Sequence, residues 1–219
     1  MSKKLITVAL LLITASVFAQ QPSATADTTP QQIIERLNLA GHLVNYGYET
    51  QTALPLIQAV KIYQELNLRP AIDGLKPTVE GETTEETPTV HARTEEQLLA
   101  DATQFAKGAP HLLALIGECQ TVSRKPTAAL FYHNDYIAPK GTHRWDVPLE
   151  GGHHSIVQLS GDGSSDLDLY LYDPEGREID KETSAGDQCG LTIFEDLSSV
   201  TVKIVNRGHV TNNYRLTVY

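Results

Sequence analysis

The amino-acid sequence predicts an α+β protein made of separate parts, in which N-terminal helical hairpins with about four helices precede a C-terminal all-β, jelly-roll-like sandwich. Apolar residues recur at intervals of three and four over residues 33–66 and again over residues 98–119, which is the period of amphipathic helices. From about residue 128 they alternate instead, which is the period of strands. Turn residues then interrupt the chain roughly every 8 to 12 residues, as in sandwiches.

The first 19 residues have the features of a secretory signal peptide. Lys3 and Lys4 are followed by an apolar run over residues 5–15 and by Val17-Phe18-Ala19, which offers small residues at the cleavage positions. The apolar run is shorter than the roughly 20 residues that span a bilayer. We therefore expect an exported protein, periplasmic or extracellular, with no membrane insertion once the signal is removed.

The charge balance excludes one class of partner. The chain has 27 acidic and 17 basic residues and a formal net charge of −10. Nucleic acids and anionic lipid surfaces attract clusters of Lys and Arg and are repelled by an acidic surface. Nucleic acid is therefore not an expected partner.

The N-terminal half is predicted to contain two helical hairpins. Residues 20–29 are polar and are expected to form a disordered leader. Residues 30–72 form the first hairpin, which begins at Pro30 and turns at 47–52. Residues 73–93 are rich in Glu, Thr and Pro, which predicts an acidic disordered linker.

The second hairpin is predicted over residues 94–125. Thr94 and Gln97 have the spacing of a capping box, and Pro110 is suited to the first turn of the next helix. Each hairpin alone would expose an apolar face, so the two are expected to pack together.

Residues 126–219 are predicted to form the sandwich, with its core at 142–219. About eight strands are expected, including a weaker one over 128–133. In the run at 166–172, Leu167, Leu169 and Leu171 should face the core, while Tyr170 and Tyr172 face outward.

The segment from Gly161 to Gly176, GDGSSDLDLYLYDPEG, resembles the bacterial pre-peptidase C-terminal domain, and the segments 202–208 and 213–218 resemble its last two strands. The resemblance covers about residues 142–219. It implies a non-catalytic, jelly-roll-like sandwich that accompanies secreted enzymes, mostly peptidases, and that binds calcium in some members. The segment before the sandwich contains neither H-E-x-x-H nor G-x-S-x-G, so the peptidase would have to be a separate protein.

Four carboxylates form the candidate calcium site. Calcium takes six to eight oxygen ligands, and side chains on one loop and the following strand could converge. Their spacing matches neither an EF-hand loop nor a glycine-rich calcium repeat. The candidate ligands are Asp162, Asp166, Asp168 and Asp173.

Two tyrosines form the candidate binding surface. Tyr170 and Tyr172 share one outward face, which is the kind of platform that stacks on sugars or peptides. Cross-strand pairing alone is the alternative explanation.

Several histidines suggest zinc as a further possibility. Zinc needs three or four ligands in a tetrahedral arrangement, and a zinc-activated water could make the protein a hydrolase. The candidate ligands are His133, Asp135, His143, His153 and His154.

Cys119 and Cys189 follow apolar patterns on a helix and on a strand, respectively. In an oxidising compartment they could form a disulfide between the helical part and the sandwich, and two buried free thiols are the alternative.

The sequence thus favours a non-catalytic exported binding or structural module with a protein or carbohydrate ligand. Two alternatives stay open, namely an accessory protein that acts with a separately encoded secreted peptidase and a metal-dependent hydrolase.

Overall fold

The computed structural model describes residues 29–71, 75–80, 93–122, 130–149, 154–194 and 196–219. It confirms the predicted α+β class, with four helices before the main strands. The helices are α1 (Pro30–Thr50), α2 (Ala53–Glu65), α3 (Glu95–Phe105) and α4 (Pro110–Gln120). The strands are β1 (Arg69–Pro70), β2 (Thr78–Glu80), β3 (Phe131–Ile137), β4 (Thr142–Pro148), β5 (Ser155–Gly161), β6 (Leu167–Tyr172), β7 (Glu178–Glu182), β8 (Gln188–Ile193), β9 (Ser199–Asn206) and β10 (Asn212–Val218).

Helices α1 and α3 begin after residues whose side chains satisfy free backbone amides. The Thr29 side chain accepts from the Gln32 amide at 3.3 Å, and the Gln32 side chain accepts from the Thr29 amide at 2.9 Å. This is a complete capping box. Thr94 likewise accepts from the Gln97 amide at 3.2 Å, whereas the Gln97 side chain donates to Asp101 instead.

The strands form two five-stranded sheets. The first has the order β1-β3-β10-β5-β8, and the second has the order β2-β4-β9-β6-β7. The eight strands β3 to β10 correspond to the predicted sandwich.

The two short strands come from segments that were predicted differently. β1 lies within the predicted first hairpin, and β2 lies within the predicted disordered linker. That prediction was wrong for Thr78–Glu80, because these residues pair in antiparallel register with β4 and so satisfy their backbone groups in the sheet. The predicted signal peptide, the leader as far as residue 28, and the linker residues 73–74 and 81–92 lie outside the described residues.

The sandwich core lies between the two sheets. Alternation along each strand sends one row of side chains inward. Leu167, Leu169 and Leu171 are 0% exposed, as predicted, and Trp145 packs into the same cluster.

The helices cover the outer face of the first sheet. Helix α1 packs on β5 and β8, while α2 contacts the other three helices. Tyr132 of β3 and Ile156 of β5 belong to the hydrophobic cluster of the helices. The contact is close, because a β-carbon on Gly41 of α1 would stand 2.3 Å from Oγ of Ser160. The hairpins predicted to pack on each other therefore also share a core with the sandwich. Within the described part of the chain, no helix has the length and apolarity needed to cross a membrane.

Candidate functional site

The outer face of the second sheet carries the two predicted tyrosines, and we call this surface the open face. Tyr170 and Tyr172 project outward from β6 and are half-buried. The register places Lys203 of β9 opposite Tyr170 and Thr201 opposite Tyr172. Arg207 follows the end of β9. The open face is defined by Asp168, Tyr170, Tyr172, Thr201, Lys203 and Arg207.

A hydrogen-bonded group fixes the position of Tyr170. Its hydroxyl donates to Oδ2 of Asp168 at 2.9 Å, and Nε of Arg207 donates to the same oxygen at 2.5 Å. Nη2 of Arg207 also donates to the Tyr170 hydroxyl oxygen at 2.7 Å. The Asp168 side chain is 5% exposed, whereas that of Arg207 is 50% exposed. The buried Asp168 therefore anchors the group in the sheet surface, and the half-exposed Arg207 reaches solvent.

The pKa shifts of Arg207 and Tyr170 agree with these hydrogen bonds. The hydrogen bond to Asp168 raises the pKa of Arg207. Desolvation, with the hydrogen bond to Asp168, raises the pKa of the Tyr170 hydroxyl. At neutral pH the group thus keeps a neutral phenol between a carboxylate and a guanidinium.

The Tyr170 ring lies along the sheet rather than away from it. Its hydroxyl reaches a residue two positions earlier on the same face of the strand. Nζ of Lys203 lies 5.2 Å from the ring centroid, within the range of a cation–π contact. Tyr172 extends the aromatic surface along the strand. The open face thus presents aromatic area next to a cationic donor and a carboxylate.

The four predicted calcium ligands have separate partners. Asp162 accepts from the Ser164 amide at 3.0 Å and from Nδ2 of Asn213 at 2.9 Å. Burial opposes its ionisation, but the hydrogen bonds from Ser164 and Asn213 outweigh this effect and lower its pKa. Asp168 belongs to the open face.

The other two carboxylates hold turns. Asp166 accepts from the Gly186 amide at 2.8 Å. Asp173 accepts from the backbone amide of Arg177 at 2.8 Å and from its Nε at 2.6 Å. Among the described residues, which include all four aspartates, no group of three His, Cys, Asp or Glu side chains could hold a metal ion. The structure therefore does not bring the predicted calcium ligands together.

Among the described residues, the predicted zinc ligands do not form a group that could hold a metal ion either. His143 is buried inside the sandwich, where its Nδ1 lies 2.8 Å from the Tyr214 hydroxyl. The His133 ring packs 5.0 Å from the Trp145 ring, and His154 packs on Phe194. His153 lies outside the described residues, and Asp135, on β3, pairs in register with Tyr214.

The Tyr214 hydroxyl forms a buried polar cluster that the sequence did not indicate. Nε1 of Trp145 donates to it at 3.0 Å, so its own hydrogen can be assigned to Nδ1 of a neutral His143. Burial lowers the pKa of His133 and of His143, and the Asp135 carboxylate opposes this shift in both. The alternation of the last strand places Tyr214 in its apolar row, but alternation alone does not reveal a hydrogen-bond partner on another sheet.

Both cysteines are buried and carry free thiols. Cys119 belongs to the hydrophobic cluster of the helices, and Cys189 belongs to the cluster inside the sandwich. The predicted disulfide is therefore absent between these two described residues, because each thiol packs in a different core. Their burial as free thiols is the alternative that the sequence had left open.

Asp187 is a buried structural residue that sequence reasoning missed. Its Oδ2 accepts from the Gly163 amide at 2.5 Å and from Nδ2 of Asn212 at 3.1 Å. It thereby fixes the loop that precedes β6.

Comparisons with known proteins gave matches among solved structures alone. No protein-family model matches the sequence. No curated protein matches it either. Among solved structures, a mitogen derived from Yersinia pseudotuberculosis has 20% identity and a TM-score of 0.33 over 41% of this chain and 83% of its own. TmCBM61 in complex with beta-1,4-galactotriose has 13% identity and a TM-score of 0.27, over 39% and 66% of the two chains. A carbohydrate binding module from the lichenase 5A of Cellvibrio mixtus, in complex with cellotriose, has 8% identity and a TM-score of 0.25, over 40% and 85%. The resemblance to the pre-peptidase C-terminal domain stays a prediction.

Proposed function

We propose that this chain is an exported, non-catalytic binding module that holds an oligosaccharide on the open face. The observation that carries the proposal is the group formed by Asp168, Tyr170 and Arg207, which holds an aromatic side chain in place on the sheet surface beside charged hydrogen-bonding groups. A sugar presents apolar C–H faces and a rim of hydroxyls, and such a surface complements both features.

Preorganisation supports a binding role. A side chain that is ordered before the ligand arrives loses little rotamer entropy on binding, and this loss is about 0.5–1.5 kcal/mol for each side chain that must be ordered. The ring of Tyr170 is already held at its hydroxyl by two partners. The geometry thus lowers the free-energy cost of binding.

The position of the tyrosines in the sheet favours a sugar over an extended peptide. Peptides that add to a sheet pair with an edge strand. Tyr170 and Tyr172 lie on β6, which is paired with β7 on one side and with β9 on the other. A ligand here must contact side chains on the face of the sheet, as an oligosaccharide does.

The test is binding of the full chain to a panel of immobilised neutral and acidic oligosaccharides. Wild-type protein is expected to bind at least one glycan, and the double variant Tyr170→Ala/Tyr172→Ala is expected to lose about tenfold or more in affinity, or about 1.4 kcal/mol. Tyr46→Ala is the matched control, since Tyr46 is 56% exposed on α1 and lies away from the open face.

Two results would contradict the proposal. One is a wild-type protein that binds no glycan in the panel, and the other is a double variant that binds as tightly as Tyr46→Ala. Circular dichroism of each variant verifies that it is folded.

Export is tested separately. We expect the mature protein from the periplasmic or extracellular fraction of a bacterial host to begin at Gln20, as the signal-peptide pattern predicts. A protein retained in the cytosol with Met1 intact would contradict this part of the proposal.

A further inference from the structure

Arg215 is buried between the helices and the first sheet. It projects from the outer face of β10 and is 6% exposed. Its guanidinium carbon lies 4.5 Å from the ring centroid of Tyr63 on α2 and 4.5 Å from that of Tyr132 on β3. Its Nε donates to Oδ1 of Asn134 at 3.1 Å, and its Nη2 donates to the carbonyl oxygen of Arg93. The guanidinium is thus held rigidly at the junction of the two layers.

Arg93 brings a second guanidinium to the same place. Its Nη1 donates to Oδ1 of Asn45 at 2.8 Å, and its guanidinium carbon lies 5.1 Å from the Tyr48 ring centroid. Burial lowers the pKa of Arg93, the charge of Arg215 adds to this effect, and Asp162 opposes it. Two cations therefore lie near each other, with Arg215 buried and Arg93 half-buried.

Each guanidinium has one donor that the protein does not use. Nη1 of Arg215 and Nε of Arg93 are buried and have no hydrogen-bond partner among the described residues. Both arginines line a cavity of about 20 Å³, together with Asn134, Ser160 and Asn213. A cavity needs about 10–15 Å³ on this measure to hold one particle the size of a water molecule. The cavity thus has room for one small particle, and two of the residues that line it carry an unused buried donor.

Among the described residues, the charges that act on Arg93 include those of Arg215 and Asp162. Asp162 is the carboxylate that acts on Arg93, and its oxygens already accept hydrogen bonds from Ser164 and Asn213. In the described part of the chain, the two guanidiniums thus lie near Asp162, a carboxylate whose oxygens are already hydrogen-bonded elsewhere. A buried charge without a counter-charge is destabilising. We propose that this cavity is a binding site for one monatomic monovalent anion, with chloride as the biological ligand.

Water is the competing occupant. Oδ1 of Asn213 is a buried acceptor without a partner among the described residues, and a water could donate to it, whereas chloride could not. Water supplies no charge, however, so the two occupants predict different responses to salt.

The test is thermal unfolding of the full chain in sodium chloride, with sodium gluconate added to keep the ionic strength constant. Gluconate is too large for a cavity of this volume. We expect the Tm to rise with chloride and to saturate, by about 5–10 °C when chloride reaches roughly 100 times its dissociation constant. Arg93→Met is expected to lose this response. Arg144→Met is the matched control, because Arg144 pairs with Glu80 on the surface of the second sheet, and it should keep the response.

A second measurement does not depend on a variant that folds. Crystals of the wild-type protein grown in sodium bromide are expected to give an anomalous diffraction peak between Arg93 and Arg215. A Tm that does not respond to chloride, or a cavity without an anomalous peak at saturating bromide, would overturn the proposal and assign the cavity to water.

Discussion

Gly190 of β8 lies directly against Ile34 of α1, so that a β-carbon on Gly190 would stand 2.2 Å from Cγ2 of Ile34. Real side chains do not approach so closely. The absence of a side chain at Gly190 therefore allows α1 to pack on the edge of the first sheet. The contact shows that the helix layer and the sheet are in close contact at this position.

We predict that Gly190→Ala destabilises the protein by about 1–3 kcal/mol, because overpacking forces the helix away from the sheet. The change in the free energy of unfolding is measured by urea denaturation with circular dichroism as the probe. Gly117→Ala on α4 is the control, since a β-carbon there would meet nothing within 4 Å. In a helix this change should stabilise by about 0.5–1 kcal/mol. Equal effects of the two substitutions would contradict the close contact.

The buried histidines predict a decrease in stability at acidic pH. Burial lowers the pKa of His133 and His143 below the ordinary value of about 6.5. The unfolded chain therefore takes up protons at these residues at a higher pH than the folded protein does. Hence the free energy of unfolding should fall as the pH falls below about 6.5, by up to about 1.4 kcal/mol per pH unit for each histidine.

Urea titrations between pH 7.5 and pH 5 test this expectation. His143→Gln keeps a partner for Tyr214 but removes one titrating group, so the dependence on pH should become shallower. If His143→Gln and the wild type show the same slope, His143 does not contribute.

The cluster at Tyr214 predicts a large effect of losing one hydroxyl. Tyr214→Phe would leave Nε1 of Trp145 and Nδ1 of His143 buried without their partner. Such a loss costs about 1–3 kcal/mol. Trp145 is the sole tryptophan, so its fluorescence follows both unfolding and the change in its surroundings. Tyr46→Phe at the surface should change stability by less than about 0.5 kcal/mol.

The cysteines predict a protein that resists thiol reagents while folded. Burial raises the pKa of both Cys119 and Cys189, which disfavours the reactive thiolate. We expect slow alkylation of the native protein and two labels after unfolding in urea without a reductant. An intact mass two hydrogens lower than that of the reduced chain would instead indicate a disulfide.

The elements themselves could be predicted because their signals are local. Pro30 and Thr94 mark helix starts, and the alternation of Leu167, Leu169 and Leu171 gives both the strand and its buried face. The outward position of Tyr170 follows from the same alternation. Each of these inferences needs only the residue and its close neighbours in sequence.

The sequence does not predict in this way which element covers the outer face of a sheet. Arg215 alternates outward on β10 as a solvent-exposed residue would, yet the helices bury it between Tyr63 and Tyr132. The separation of the predicted calcium ligands has a related reason. Asp166 and Asp173 accept hydrogen bonds from backbone amides that the chain brings to them, and sequence spacing does not show where those donors lie.

The strands β1 and β2 have a consequence for any attempt to divide the chain. β1 shields the flank of β3 in one sheet, and β2 shields the flank of β4 in the other. A fragment that begins at residue 126 would lose both of these strands. It would also expose Tyr132 and Ile156, which the helices cover in the full chain. Unpaired strand edges beside an exposed apolar surface promote self-association. The C-terminal fragment should therefore be insoluble when it is produced alone.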